Sequence, residues 1–350
     1  MADGAARRPE APGGVVAIAI LTWRGEEESR TCLEGLATLR GWPIPTLIVD
    51  NASGTGEGER LAAEFGAPVS ALTRSVNDGV PGGYNAALEW AMHRGASHVL
   101  LLNNDVVITD PEMLDRLLAA TGPDVAAVGP IIRDPDGSIF SAGGWMDWVR
   151  GRGRFWREPQ SAAPYEAEWL DGPCMLVSTD AVRAVGGLAP EYFMYWEELD
   201  WAIRARTLGL RLLVQPTTSM THARASLAAP MQLRYLMLRN GILFMRRHGT
   251  PGQNVTSLAW ALYYKSPGIF IRCLGRPRDL VRVPGTVARA FWWNVADAVR
   301  RRRWRLRPDG PPIGEGRGAG MTLLDGPERA EARSPGRASI VGPRRPGRGA

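Results

Sequence analysis

Along the first hundred residues, short apolar runs alternate with segments of helical period. "VVAIAIL" (15–21), "TLIVDN" (46–51), "PVSALT" (68–73) and "HVLLL" (98–102) read as strands. Between them, "EEESRTCLEGLATLR" (26–40), "GEGERLAAEFG" (56–66) and "GYNAALEWAMHRG" (83–95) read as helices, the last two closed by Gly66 and Gly95. Strand and helix in this alternation predict an α/β fold: a mainly parallel central sheet flanked by helices on both faces.

After residue 110 the rhythm loosens. "PEMLDRLLAAT" (111–121) predicts a helix with Asp110 as N-cap and Pro111 in the first turn. "VAAVGP" (125–130) and "LRLLVQP" (210–216) read as strands, and the Gly- and Trp-rich stretch 143–169 fits no template. Residues 230–306 are helical in pattern and rich in Arg and Trp, a C-terminal helical extension. Tail 1–14 is predicted to be flexible, and the Gly/Pro/Arg-rich tail 307–350 disordered.

Composition narrows the class. Of 350 residues 45% are hydrophobic, enough for a substantial core. The net charge of +6 rests on arginine concentrated toward the C-terminus, and Lys265 is the only lysine. Arginine in place of lysine reads as coding bias rather than as a binding signal. Cys32, Cys174 and Cys273 form no CxxC pair and suggest no disulfide framework. The start "MADGAARRPEAPGG" lacks an apolar core for a secretory signal, and no apolar run reaches the roughly 20 residues that span a bilayer. The expectation is a cytoplasmic protein.

Ligands of open α/β sheets bind beyond the carboxyl ends of the strands, and the unusual loops lie there. "HVLLLNNDVVI" breaks an apolar run with Asn103, Asn104 and Asp105, a polar triplet that a buried strand would not tolerate. "IVDNASG" ends strand two with Asp50 and Asn51, suited to a ribose or base and equally to a turn. "NDGVPGGYN" (77–85) offers close backbone approach and a helix N-terminus, or plain turn chemistry. Neither GxGxxG after strand one nor GxxxxGK[ST] is present, so the dinucleotide fingerprint and the P-loop are excluded. Asp105 could offer oxygen to a hard divalent cation that also binds diphosphate, or serve as a turn residue.

Taken in order, "ILTWRG", "LIVDNAS", "NDGVPGGYNAAL", "LLLNNDV", "GPCMLV" and "FMYWEELDWAIRARTLG…H" resemble the motif series of glycosyltransferase family 2, in its rhamnosyltransferase-like branch, over residues 15–250. The resemblance implies a GT-A fold, with a nucleotide-sugar half at 15–110, an acceptor and catalytic half at 111–229, and inversion at the anomeric carbon. It puts Thr22, Asp50, Asn51, Asn77, Gly79, Gly82, Gly83 and Asn104 on the nucleotide sugar. It makes Asp105, joined by His222, the ligand of Mg²⁺ or Mn²⁺, with "NND" where the family often has Asp-x-Asp. It lines the acceptor pocket with Asp171, Gly172, Trp196 and Glu197, and it places "RNGILF" (239–244) after the catalytic half.

An inverting displacement needs a carboxylate base on one side of the sugar and a cation on the other. Helical steps of about 100° put Glu197, Asp200 and Arg204 on one side of the helix ended by Gly209. Glu198 falls over Ala202 and Ala205, with no basic residue one turn on, and holds the position of the family's base. His93, His98 and His248 have no motif around them.

The expected donor is a UDP- or dTDP-sugar, with dTDP-rhamnose suggested by the resemblance alone. The acceptor is a hydroxyl of a glycan, lipid-linked saccharide or small aglycone. Arg clusters beside aromatics at 230–306 read either as an interfacial segment on the inner face of an anionic membrane or as helices packed on the core; nucleic acid is a poorer partner. Two other readings compete: a nucleotidyltransferase, which would carry a lysine-containing glycine loop that "LTWRGEEES" lacks, and a non-catalytic binding protein.

Overall fold

The computed structural model describes residues 15–223, 231–274 and 276–301, with the backbone of 322–324. Its first half runs β1 (Val15–Thr22), α1 (Glu26–Ala37), β2 (Thr46–Asp50), α2 (Glu57–Phe65), β3 (Val69–Thr73), α3 (Gly79–His93), β4 (Ala96–Asn103), β5 (Val106–Val107), α4 (Met113–Ala119) and β6 (Val125–Arg133). β7 (Ile139–Ser141), β8 (Gly144–Asp147), β9 (Arg152–Phe155), β10 (Tyr165–Ala167), β11 (Cys174–Ser178), α5 (Thr179–Val185), α6 (Glu197–Thr207) and β12 (Arg211–His222) follow. The chain then turns helical: α7 (Met231–His248), α8 (Pro251–Trp260), a π-helical turn (Ala261–Lys265), α9 (Ser266–Arg272), α10 (Pro277–Leu280) and α11 (Val283–Arg300). Last comes β13 (Thr322–Leu324).

The main sheet has the order β10-β12-β6-β11-β4-β1-β2-β3-β13. β3, β2, β1 and β4 pair in parallel, as the alternation predicts. β11 is antiparallel to both β4 and β6, while β12 is parallel to β6. Strands of this kind are covered on both faces, which is why they read as unbroken apolar runs. In β1 the side chains divide by parity. Ala17, Ala19 and Leu21 join Leu88 of α3, Val182 of α5 and Leu199 of α6, whereas Val16, Ile18 and Ile20 meet Leu33 of α1, Leu61 of α2 and Leu114 of α4.

Several local expectations change. α3 begins at Gly79 rather than Gly83, so the glycine loop is the helix's first turn. Asp110 does not cap α4: it accepts Glu112 N–H at 3.0 Å and the Thr218 hydroxyl at 2.6 Å, and the helix opens at Met113 after Glu112. The strand predicted to end at Pro216 runs on through "TTSMT" (217–221) to His222, by way of a register shift between Gln215 and Ser219. The unassigned 143–169 folds as the separate β8–β9 hairpin, with β10 on the sheet edge. Thr322–Leu324, inside the stretch predicted to be disordered, pairs antiparallel with β3; the rest of 307–350, tail 1–14, residues 224–230 and 302–306 lie outside the described residues.

The last C-terminal helix departs in part from the usual amphipathic rule. In α11 the buried positions include Thr286, Asn294 and Asp297, while Trp292 is 71% and Val299 70% exposed. The inward polar face exists because Arg246 of α7 is fully buried: it donates to Asn294 Oδ1 at 3.0 Å and Asp297 Oδ2 at 3.1 Å. A guanidinium taken from water must find such partners. Among the described residues no helix is long and apolar enough to cross a membrane.

Candidate active site

The polar triplet after β4 is accounted for residue by residue. Asn103 Oδ1 accepts the Tyr84 hydroxyl of α3 at 2.9 Å, and Asn104 Nδ2 donates to Gly25 O at 3.0 Å. Asp105 faces β12, where His222 Nε2 lies 3.1 Å from its Oδ1. The partnership is built by the backbone: β5 pairs with the end of β12, His222 opposite Val106, and Ala223 N–H donates to Asp105 O at 2.9 Å. Both side chains keep some exposure, and His222 Nδ1 has no hydrogen-bond partner among the described residues. A carboxylate and an imidazole side by side at a sheet edge suit Mn²⁺ or Mg²⁺ with positions left for substrate oxygens. Among the described residues no group of three or more His, Cys, Asp or Glu could hold an ion, so substrate or water would complete the shell.

The donor-side residues gather on the ends of β1 and β2. Asp50 is fully buried, its Oδ1 accepting Ser53 N–H at 2.8 Å and its Oδ2 without a partner among the described residues. Asn51 Nδ2 donates to Asn77 Oδ1 at 3.1 Å and Gly79 O at 2.9 Å, and its Oδ1 has no partner among the described residues. Buried acceptors without donors are rare in a folded interior and mark places where a bound group can supply the missing bond. Thr22 is engaged within the protein, its hydroxyl donating to Glu57 Oε1 at 2.8 Å. Glu57, which also receives Gly25 N–H and the hydroxyls of Ser53 and Thr55, organises this corner. In sequence it is one acid among several at a helix start, so nothing signals its burial.

Gly79 joins the donor side to the catalytic side. Its φ is +76°, and a Cβ there would stand 1.9 Å from Phe193 O. The same carbonyl accepts Val80 N–H at 2.7 Å, so the first turn of α3 rests on the loop that leads into α6. That loop is strained: Phe193, Tyr195 and Trp196 have φ of 65°, 68° and 78°, conformations unfavourable for bulky side chains. Asn240, fully buried on α7, compensates. Its Nδ2 lies 2.9, 2.8 and 2.9 Å from the carbonyls of Tyr192, Met194 and Tyr195. Arg239 adds bonds to Glu191 O and Tyr192 O. The segment "RNGILF" thus gains a physical account as the clamp of this loop.

On α6 the three acids separate as the wheel predicts. Asp200 is fully buried and receives Tyr192 Oη at 3.0 Å, Arg204 Nε at 2.9 Å, Arg247 Nη1 at 3.0 Å and His248 Nε2 at 2.8 Å. Burial alone would raise its pKa, but the His248 bond and the charges of Arg247, His248 and Arg204 hold it well below the carboxylate range. His248, with no motif around it, is therefore an anchor of α6. Glu197 is buried beside Trp196 and pushed well up by burial and then by Glu198.

Glu198 has no ion pair, and its Oε2 finds no partner among the described residues. It lies against Gly172, where a Cβ would stand 3.8 Å from its Cγ. Burial pushes it up to about 7 against the pull of backbone N–H groups, with the Asp171 charge adding to the rise. The Tyr195 phenol is raised first by burial and then by the charges of Glu197, Glu198 and Asp105, so the start of α6 and the exit of β4 share one electrostatic neighbourhood.

Comparison with known proteins gives the arrangement its context. The chain is 32% identical over 216 residues to the N-acetylglucosaminyl-diphospho-decaprenol L-rhamnosyltransferase of Mycobacterium tuberculosis, covering 54% of this chain and 69% of that protein. In structure it resembles the mannosyltransferase PcManGT of Pyrobaculum calidifontis, solved with GDP-Man and Mn²⁺ (TM-score 0.51, 15% identity, 83% of each chain). It also resembles GalNAc-T7, solved with UDP, GalNAc and Mn²⁺ (TM-score 0.53, 14% identity, 66% of this chain), of which it spans about half, 47%. No family model matches the sequence. The sheet order with its reversed strand and the relatedness across two thirds of a rhamnosyltransferase lead to one classification: this chain belongs to glycosyltransferase family 2, the nucleotide-sugar transferases of GT-A fold that invert the anomeric centre.

Proposed function

We propose that the chain transfers a deoxyhexose, rhamnose by kinship, from its dTDP- or UDP-linked form to a hydroxyl of a lipid-linked saccharide, at the inner face of a membrane. The observation that carries the reading is the pairing of Asp105 with His222 at the sheet edge, in electrostatic contact through Tyr195 with an unpaired Glu198. In this reading residues 15–110 hold the donor: Asp50 and Asn51 offer their free oxygens to the nucleoside, and the first turn of α3, from Asn77 through Gly79, Gly82 and Gly83, lies beside it. Residues 111–229 hold the acceptor, whose hydroxyl reaches Glu198 beside Asp171, Gly172, Trp196 and Glu197. Glu198 takes the hydroxyl proton as the oxygen attacks, and a carboxyl near neutrality suits that role. A divalent cation held by Asp105 and His222 would neutralise the charge that develops on the leaving diphosphate. The lipid-linked acceptor is supported by the exposed apolar residues of the C-terminal helices and by the diphospho-decaprenol in the relative's name.

Incubation with a panel of nucleotide sugars, Mn²⁺ and a lipid-linked saccharide tests the proposal. Release of nucleoside diphosphate from a dTDP- or UDP-deoxyhexose is the expected result. Formation of nucleoside triphosphate and sugar 1-phosphate once pyrophosphate is added would make the chain a nucleotidyltransferase, and an absence of product with every donor would make it a binding protein.

A further inference from the structure

Four cations of the β8–β9 hairpin and the π-helical turn gather around one carboxylate, Asp147, whose charge reaches Arg150, Arg152 and Arg154. In the β8–β9 hairpin Arg152 lies opposite Asp147 and Arg154 opposite Trp145. Gly153, between them, faces the Trp169 ring, where a Cβ would stand 3.0 Å from Cζ2, so the two arginines share the other face of the strand. Lys265, the chain's only lysine, comes to the same place from the π-helical turn. Its Nζ donates to Gly151 O at 3.1 Å and sits 5.6 Å from the centroid of the Trp196 ring. Arg150, the fourth cation, lies over Trp260 and bonds Asp147 at 3.0 Å.

The nearby carboxylates are occupied. Asp147 serves Arg150, and Glu168 Oε2 accepts Met146 N–H at 2.9 Å. Among the described residues Arg152, Arg154 and Lys265 have no carboxylate partner, and Arg154 Nε is buried with no hydrogen bond at all. Each side chain is half-buried. Burial and the neighbouring Arg154 lower Arg152, and burial with the Arg152 charge brings Lys265 down to about 8. Like charges held together out of water oppose folding, and an anion would remove the opposition. The place is informative: Trp196, under Lys265, immediately precedes the first turn of α6. On the π-helical turn and α9, Tyr263, Tyr264, Phe270 and Ile271 are exposed, and Tyr264 is near enough to Arg152 to act on its charge.

We infer that Arg152, Arg154 and Lys265 form a subsite for the phosphate linkage of the acceptor, with the exposed apolar residues of the π-helical turn and α9 lying along its lipid chain. The inference rests on the proposed transfer to a lipid-linked saccharide and adds where the chain grips it. Guanidinium forks and an ammonium around a phosphate make charge-assisted bonds whose loss is felt directly in affinity.

The test is calorimetric titration of the full-length chain with geranyl diphosphate, the donor side being filled by saturating UDP or dTDP with Mn²⁺. Wild type is expected to bind, and the double variant Arg152→Gln/Arg154→Gln to bind at least about tenfold more weakly. Inorganic pyrophosphate is expected to bind wild type more weakly than geranyl diphosphate does, and geraniol not at all. Thermal melting guards against misfolding: removing two repelling charges leaves the variant at least as stable as wild type, and geranyl diphosphate raises the melting temperature of wild type alone. Equal binding by the two proteins would overturn the subsite. Equal affinity for inorganic pyrophosphate would overturn its assignment to a lipid-linked acceptor in favour of free phosphate. Stabilisation of both proteins by a nucleotide sugar with Mn²⁺ would keep the transferase reading intact even then; its absence in wild type would count against that reading instead.

Discussion

Replacing Glu198 with Gln removes a charge while keeping shape, and the structure sets the size of the effect. An ordinary glutamate titrates near 4.5, and burial beside Asp171 brings Glu198 up to about 7. Between those values the folded protein holds a proton that the unfolded chain has released, so stability falls as pH rises through this window and is level above it. At about 1.4 kcal/mol per unit, the ionised carboxylate costs about 3 kcal/mol at pH 8 and under about 1 kcal/mol at pH 5. Glu198→Gln is therefore expected to melt higher than wild type at pH 8, by about 5 °C, and almost with it at pH 5. Donor binding, followed by titration with UDP or dTDP in Mn²⁺, stays within about twofold, whereas turnover falls by about 10³-fold because no group remains to accept the hydroxyl proton. In wild type the rate rises with pH to a plateau above about 7. A variant that melts like wild type at both pH values, or that turns over at a comparable rate, would refute the reasoning that this carboxyl is held near neutrality for use as a base.

Four further outcomes are expected. Asp105→Ala should weaken nucleoside diphosphate binding by about tenfold or more with Mn²⁺ present and leave metal-free binding unchanged, as read by paired titrations. Asn240→Ala should cost about 2–3 kcal/mol in urea denaturation, because carbonyls of the strained loop lose their donor. It should also lower kcat more than donor affinity, since the loop aims α6 rather than the nucleotide. Raising the ionic strength should not rescue Asn240→Ala, whose lost bonds are short and buried.

The alternating half of the fold is legible in the sequence because its strands are buried on both faces and its helices on one, so periodicity alone separates them. Stretch 143–169 is not: its strands have three or four residues, and Gly153 of β9 packs on Trp169, a neighbour that no local pattern reveals. The polar triplet after β4 is recognisable as a strand exit, and Asp105 and His222 do meet, but by way of the register shift that carries β12 past Gln215. Glu198 stands out on the wheel by lacking a basic neighbour. Glu57, Asn240 and His248 carry no such signal, since each is an ordinary polar residue whose meaning comes from burial against a distant carbonyl, hydroxyl or acid. Residue type announces chemistry at a surface; deep inside, only the packing does.

The reversal of β11 has one more implication. A parallel strand delivers to the ligand edge the segment on its C-terminal side, yet β11 delivers the segment on its N-terminal side, the turn at Asp171 and Gly172. Two classes of connection hence meet along a single rim, and they can diverge independently: lengthening the approach to β11 remodels one part of the rim without disturbing the exits of the parallel strands.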